Sequence, residues 1–270
     1  MVSKMNKNKV VVVMGRKRSG KDSYLDALDE KPHFKFAYKI KKLSHFIFGK
    51  ESDTDDLKEK FITVDKEYLI NQTIKNFIEL FDLENNPNHF YSSSETYKFI
   101  YSKYEKYIDG ENINISPRVL HQVFGTEICK NVDTDIFVKG VNKSIDKHFN
   151  NDGNSDIVYI TDGRFFNELN YLAKNESFEL EVLFLCRYKY DNKSGLYQSN
   201  NLKYDHHYSE YLNNTFEAFS LDILNNKLDK EKLDSFLNEN INPNIKIKFI
   251  AKEWLEQRDK KDLGKVIFEK

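Results

Sequence analysis

The sequence predicts an α/β fold around a central parallel sheet. Three observations carry that expectation. Val10–Met14 is a short apolar run that feeds straight into a glycine-bounded loop, Gly15 to Gly20. Helix-period spacing follows at once from Lys21. Short apolar runs then alternate with helix-period segments down the chain, as parallel sheets with crossover helices require.

The elements follow in order. Met1–Lys9 is a polar, basic start. Val10–Met14 lacks polar alternation, which fits a strand buried on both faces. Lys21–Leu28 has helical spacing, and Phe34–Ala37 alternates as a second short strand. Lys39–Phe48 places Ile40, Leu43, Ile47 and Phe48 on one helical face. From Glu51 to Gly110 the character changes. The acidic run Glu51–Asp56 leads into two aromatic-rich helical patterns, Asp65–Phe81 and Ser94–Ile108. This stretch reads as a helical insertion, with a separate helical domain as the alternative. Pro117 suits the first turn of a helix over Arg118–Lys130. Asp135–Phe149 is a further helix, Ile157–Thr161 a strand ending in Asp162-Gly-Arg164, and Phe166–Asn175 a helix. Glu181–Cys186 is a strand, Tyr188–Tyr208 a polar, tyrosine-rich segment, Ser220–Leu224 the last strand, and Lys230–Glu239 a helix. After Pro243 comes a mixed tail in which Ile245–Ile250 is a candidate edge strand.

Composition excludes several classes of function. The chain has 270 residues, 39% hydrophobic and 31% charged, as in an ordinary globular protein. Its net charge of −1 supplies no basic field for nucleic acid. Cys129 and Cys186 are the two cysteines and lack CxxC spacing, so the expectation is a reducing, cytoplasmic setting without a zinc site. Val10–Met14 is too short for a signal core or a membrane span. His206 and His207 are adjacent with no third ligand at suitable spacing, which argues against zinc.

The chemistry concentrates in Gly15-Arg-Lys-Arg-Ser-Gly-Lys-Asp-Ser23. Gly15 and Gly20 let backbone amides approach phosphate oxygens where a Cβ would obstruct them, and the helix that follows adds its positive end. Lys21 reaches the β- and γ-phosphates of a nucleoside triphosphate, and Ser19 completes the cradle. Lys17 and Arg18 place two more cations inside the loop, where they also face an acceptor phosphate. The magnesium-binding hydroxyl that usually follows the lysine is displaced: Asp22 stands there and Ser23 comes one later. Either Asp22 or Ser23 holds the ion. The loop alone thus predicts nucleoside triphosphate binding and phosphoryl transfer, and the full reading takes ATP and Mg2+ as cofactors. A turn that binds nothing is the bland alternative, weakened by the strand before it and the helix after it.

Beyond this point the chain resembles the deoxynucleoside monophosphate kinases of tailed bacteriophages, which carry a Lys-Arg-Ser-Gly-Lys-Asp-Thr core. Ala37-Tyr-Lys-Ile-Lys41 is similar to their acceptor-side segment, with Lys39 where proline is frequent. Arg118-Val-Leu-His-Gln-Val-Phe-Gly-Thr-Glu127 resembles their Arg-x-x-x-Gln-x-x-Gly-Thr-(Glu/Asp) helix. Asp162-Gly-Arg-Phe-Phe-Asn-Glu168, Asp205-His-His-Tyr-Ser-Glu210 and Asp222-Ile-Leu-Asn225 match later segments in the same order. Lys130 stands where arginine is usual and Phe137 where an aromatic, often tryptophan, is found. The resemblance spans Val10 to Leu237. It implies a P-loop NTPase fold with three α/β/α layers, a helical acceptor-side insertion and a short lid. The implied division is a core over 1–50 and 115–240, an insertion over 51–114, a lid over 188–208 and a C-terminal extension over 241–270.

Residue roles follow from chemistry and from the resemblance together. Arg118 suits the acceptor phosphate, because a guanidinium meets phosphate oxygens bidentately. Gln122, one helical turn on, reads the acceptor base. Asp162, at the carboxyl end of a strand, holds a magnesium water or orients Arg164. Arg164 and Arg187 converge on the transferred phosphoryl group, while Glu168 pairs with a nearby base. The resemblance implies acceptor-side roles for Ala37, Tyr38, Lys41, Thr126, Glu127, His207 and Glu210, and places Asn225 near the ATP base. Tyr188–Tyr204 is either a lid that closes to exclude water or a disordered loop. The tyrosines of the insertion read as core more than as a base-stacking platform. The activity implied is ATP-dependent phosphorylation of deoxynucleoside monophosphates by a homodimer in the cytoplasm, the host's if the gene is a phage's. Two alternatives stand beside it: a P-loop kinase for another phosphorylated metabolite such as dephospho-coenzyme A, and a catalytically silent nucleotide-binding protein.

Overall fold

A computed structural model describes residues 8–16, 19–28, 32–81, 93–151, 155–199, 211–253 and 265–270. The chain forms two compact units, one of residues 1–35 and 141–270 and the other of residues 36–140.

The first unit holds a seven-stranded sheet in the order β10-β9-β7-β1-β6-β2, with β8 paired to β7. Its strands are β1 (Asn8–Met14), β2 (His33–Phe34), β6 (Ile157–Ile160), β7 (Phe178–Asp191), β8 (Leu196–Ser199), β9 (Lys246–Glu253) and β10 (Lys265–Glu269). β1 lies parallel between β6 and β7, β2 is parallel to β6, and β9 is parallel to β7. Only β8 and β10 run antiparallel to their neighbours. Val10 to Met14 are all buried because both faces of β1 are covered. Val11 and Val13 share one face with Leu183, Leu185 and Ile250, packed on Tyr24 and Leu25 of α1 (Lys21–Asp26). Phe184 turns to the other face and meets Phe216 of α9 (Tyr211–Leu224) at 5.4 Å between ring centroids. Phe216 also meets Phe236 of α10 (Lys230–Asn240). The result is the helix–sheet–helix layering expected. Each such fully buried side chain contributes about 1.5–3 kcal/mol.

Several element boundaries differ from expectation. The second strand is only His33–Phe34, and β7 runs 14 residues, so Tyr188–Asp191, the start of the expected lid segment, continues the sheet. Residues 188–199 form a hairpin, turning at Gly195 with φ +67°, and Tyr197 packs on both Tyr188 and Tyr190 at 5.1 Å. Asp191 fastens that turn, accepting from the Lys193 amide at 3.1 Å and the Ser194 hydroxyl at 2.7 Å. Ser220–Leu224 is helix, the end of α9, and the last strands are instead β9 and β10. β9 is interior, between β7 and β10, where an edge strand was expected. Its partner β10 lies some twelve residues further on, beyond the reach of a local pattern.

The second unit is wider than the 51–114 insertion. It contains α2 (Tyr38–Phe48), α3 (Asp55–Lys58), α4 (Lys66–Phe81), α5 (Ser93–Tyr104) and α6 (Pro117–Gln122). It also holds a three-stranded antiparallel sheet, β3 (Ile62–Asp65), β5 (Asn112–Ile115) and β4 (Ile108–Asp109), that the helical reading missed. The signal was available: Gly110-Glu111 is the two-residue hairpin turn between Asp109 and Asn112, with Gly110 at φ +60°, followed by Ile113 and Ile115 alternating inward. Leu69, Ile70, Phe77, Ile100 and Phe124 are fully buried, and Tyr104 joins them with its hydroxyl 3.1 Å from Thr73 Oγ1. α7 (Ile136–Asn150) leads back to the first unit's strands. Among the described residues no helix is long and apolar enough to cross a membrane.

Candidate active site

The phosphate loop begins where β1 ends. Gly15 adopts φ +142° and Gly20 φ +95°, conformations that side chains rarely tolerate. Space demands glycine as well. A Cβ at Gly15 would lie 2.5 Å from the Leu185 carbonyl oxygen and from Ser19 Oγ, and one at Gly20 would lie 2.5 Å from Arg187 Nη2. β7 and its arginine therefore close directly over the loop. The Ser19 amide donates to the Arg16 carbonyl at 3.0 Å and tightens the turn. Lys21 Nζ donates to the carbonyls of Gly15 and, at 2.9 Å, of Arg16, so its ammonium lies over the loop backbone. Ser19 is 5% exposed, and its hydroxyl has no hydrogen-bond partner among the described residues. A buried hydroxyl left this way calls for a polar group from outside.

The neighbouring strand ends supply the other expected residues. Asp162 is half-buried just past β6. Gly163 is buried, and a Cβ there would come 2.7 Å from Val12 Cγ1 of β1. Arg164 is exposed, and its amide donates to Glu168 Oε2 at 2.9 Å. The Phe165 amide donates to the same oxygen at 3.2 Å, so Glu168 caps α8 (Phe166–Leu172), a role beyond the pairing with a basic side chain expected of it. Because β6, β1 and β7 are adjacent and parallel, the loop, Asp162 and Arg187 share one carboxyl edge of the sheet, the edge where open α/β sheets bind ligands.

Behind the loop stands α9. Asn213 Oδ1 accepts from the Gly15 amide at 3.2 Å, and Glu217 Oε2 accepts from Arg16 Nη1 at 2.5 Å. Arg16 and Glu217 are each 5% exposed, so the ion pair is buried. The other Glu217 oxygen accepts from Ser199 Oγ of β8 at 2.8 Å. Nearby, burial and the Glu217 charge push the Cys186 thiol up to about 12, with Arg16 acting against them. Arg16, Asn213 and Glu217 were passed over in the sequence; their signal was a polar pair at i, i+4 inside an apolar helical stripe. Asn225 lies past the end of α9, where its carboxamide accepts from the Tyr197 amide at 2.7 Å and donates to the Tyr197 carbonyl at 2.9 Å.

In the second unit two of the matched segments pack on each other. α6 continues as a π-helix over Val123–Lys130, a winding that is rare and concentrates at functional sites. Gly125 lies in it, and a Cβ there would come 2.8 Å from Ile40 Cδ1 of α2. Arg118 and Gln122 stand on α6, with Arg118 partly exposed and paired to Glu59. Thr126 is exposed, Glu127 pairs with Lys106 at 3.4 Å, Ala37 and Lys41 are half-buried, and Tyr38 is 61% exposed. Ser23 is half-buried on α1. Lys17, Arg18, His207, Glu210 and the Asp22 side chain lie outside the described residues.

A family model described as deoxynucleotide monophosphate kinase matches residues 9–210. The chain belongs to this family. Membership makes it a kinase, a transferase acting on deoxynucleotide monophosphates, and the mixed α/β fold agrees with it. No curated protein sequence matches the chain. In this deoxynucleotide monophosphate kinase the matched segment stops at residue 210, one residue before α9 begins. Nucleotide kinases of this kind use ATP, and the loop fits a polyphosphate: two glycines at positive φ, a lysine over the backbone, a buried hydroxyl without a partner among the described residues and an arginine against Gly20. Among the described residues no three acidic, histidine or cysteine side chains cluster as a metal cage. Magnesium in such sites is held by one or two protein groups, water and the substrate phosphates, so Ser23 and Asp162 suit it without a cage.

Proposed function

We propose that this kinase transfers the γ-phosphoryl group of ATP to a deoxynucleoside monophosphate, forming the diphosphate and ADP in a magnesium-dependent reaction that supplies DNA precursors. The observation that carries the reading is the placement of the Gly15–Gly20 loop, Lys21 and the Arg187 guanidinium at one carboxyl edge of β1 and β7. Phosphoryl transfer asks the protein mainly for positioning and charge neutralisation. Lys21, the loop amides and Ser19 hold the donor phosphates, with Lys17 and Arg18 beside them. Arg187 and Arg164 balance charge on the group in flight, and Arg118 and Gln122 hold the acceptor's phosphate and base. Ala37, Tyr38, Lys41, Thr126, Glu127, His207 and Glu210 line the acceptor, and Asn225 neighbours the ATP base. Magnesium, held through Asp22 or Ser23 and by Asp162, supplies charge neutralisation when bound. The enzyme works as a cytoplasmic homodimer, and the 188–199 hairpin belongs to its lid.

The test is coupled ADP formation with ATP and each deoxynucleoside monophosphate in turn, with dephospho-coenzyme A and phosphomevalonate as controls. Turnover with at least one deoxynucleoside monophosphate, lost in Lys21→Ala with the fold retained, is the expected result. Turnover only with a control acceptor, or none at all while ATP still binds, refutes it.

A further inference from the structure

The matched family segment ends at residue 210, yet the groups that grip the phosphate loop from behind come from residue 213 onward. We infer that α9 is a bracket that sets the loop's geometry for nucleotide, with Glu217 as its principal positioning residue. The inference rests on the kinase reading above, since it assigns a role within that same site.

The geometry is specific. Asn213 and Glu217 are one helical turn apart and therefore on one face of α9. Asn213 takes the amide of Gly15, and Glu217 takes the guanidinium of Arg16, so consecutive loop residues are held by consecutive turns. Glu217 uses its two oxygens on two different elements: Oε2 on Arg16 in the loop and Oε1 on Ser199 in β8. The carboxylate is thereby held from two sides. A second tie, Asn225 to Tyr197, fixes the far end of α9 to the same strand. The helix thus joins the 188–199 hairpin to the phosphate loop, through half-buried contacts on the hairpin side and buried ones on the loop side.

Stability alone is a weak account of this pair. Taking both charges out of water offsets most of their attraction, and an apolar pair of similar size serves stability as well. What the ionic pair adds is position. It anchors Arg16, whose carbonyl accepts from the Ser19 amide and, at 2.9 Å, from Lys21. Glu217 therefore acts on the phosphate-binding lysine through Arg16, without touching nucleotide itself.

The test is ATP binding and two-substrate kinetics on the full chain with Glu217→Gln, Glu217→Ala and Ser199→Ala, with melting followed in parallel. Glu217→Gln keeps the shape and removes the charge. It is expected to raise the Kd and KM for ATP by about tenfold while the acceptor KM stays within about twofold. Ser199→Ala is expected to shift the ATP terms in the same direction by about threefold, and it remains informative if either Glu217 variant fails to fold. ATP affinity unchanged in folded Glu217→Gln and Ser199→Ala overturns the bracket. So does a parallel rise of both KM values that tracks loss of folded protein. Wild-type protein that does not bind ATP overturns the kinase reading itself, which separates the two failures.

Discussion

Gly20→Ala is the most informative single change, because it acts on the site through two separable physical effects. The first is local. At φ +95° a residue with a Cβ is strained by about 1–2 kcal/mol, which lowers the melting temperature by about 2–8 °C in a chain of this size. The second is a collision. The new methyl would lie 2.5 Å from Arg187 Nη2 and 2.9 Å from Nε, where ordinary contact needs about 3.5 Å. A guanidinium is the far end of a flexible side chain, so it is Arg187 that retreats, by about 1 Å, a misplacement that costs about a hundredfold in rate. Arg187→Ala removes the same group outright and costs about a thousandfold if the arginine neutralises charge on the transferred group. The double variant decides between pathways. If the methyl acts through Arg187, then Gly20→Ala placed on Arg187→Ala lowers kcat by no more than about threefold further, while the melting-temperature loss persists in full. Steady-state turnover and thermal denaturation of the four proteins complete the cycle. Multiplicative losses would mean that Gly20 serves the phosphates independently of Arg187, and full activity in Gly20→Ala would refute the close approach itself.

Three further outcomes are expected. Ser19→Ala deletes a buried hydroxyl that has no partner among the described residues, so stability holds within about 1 kcal/mol or rises, while ATP affinity falls about tenfold; a stability loss beyond that in calorimetry would show an internal partner. Gly125→Ala pushes on Ile40 Cδ1 and costs about 1–3 kcal/mol in denaturant unfolding, and Ile40→Val, which removes that carbon, recovers most of it; equal losses with and without Ile40→Val would exclude the contact. Burial raises the Cys186 thiol to about 12, so its contribution to stability is complete below the unfolded thiol value of about 8.5 and is lost as pH climbs from there. Unfolding free energy therefore drops by about 2 kcal/mol between pH 8 and pH 10 for that thiol, a drop that Cys186→Ala abolishes; identical pH profiles for the two proteins would contradict it.

How far the site was legible depends on how locally its residues speak. Gly15 to Ser23 announced itself because strand, glycine loop, lysine and helix are consecutive, and each is readable on its own. β1, β6, α4, α6, α7 and α10 were legible for the same reason, their apolar period being unbroken. The sheet order was not, since the pairing of β9 with β7 joins residues more than sixty positions apart. The Gly110-Glu111 turn was hidden by the helical pattern over Ser94–Ile108 that runs up to it. The π-winding from Val123 had no signal at all, because its apolar residues also fit an ordinary helix.

The misreading of α9 has a different cause, and it bears on function. Its buried face is Leu212, Asn213, Phe216, Glu217, Phe219 and Ser220, a clean helical stripe in which three of the six residues are polar. Hydrophobic periodicity fails there, and what survives is the apolar end near Leu224, which passes for a short strand. Ser220 needs no further partner, since its hydroxyl donates to the Phe216 carbonyl at 2.8 Å. Asn213 and Glu217 do reach beyond the helix, and both reach the phosphate loop. A carboxylate 5% exposed is held only where a cation and further donors satisfy it, and Arg16 and Ser199 are those groups. The same two residues that spoil the helical pattern are thus the ones that orient the loop. Local rules and site requirements conflict at such positions, and the conflict itself marks where the fold has been bent to chemistry.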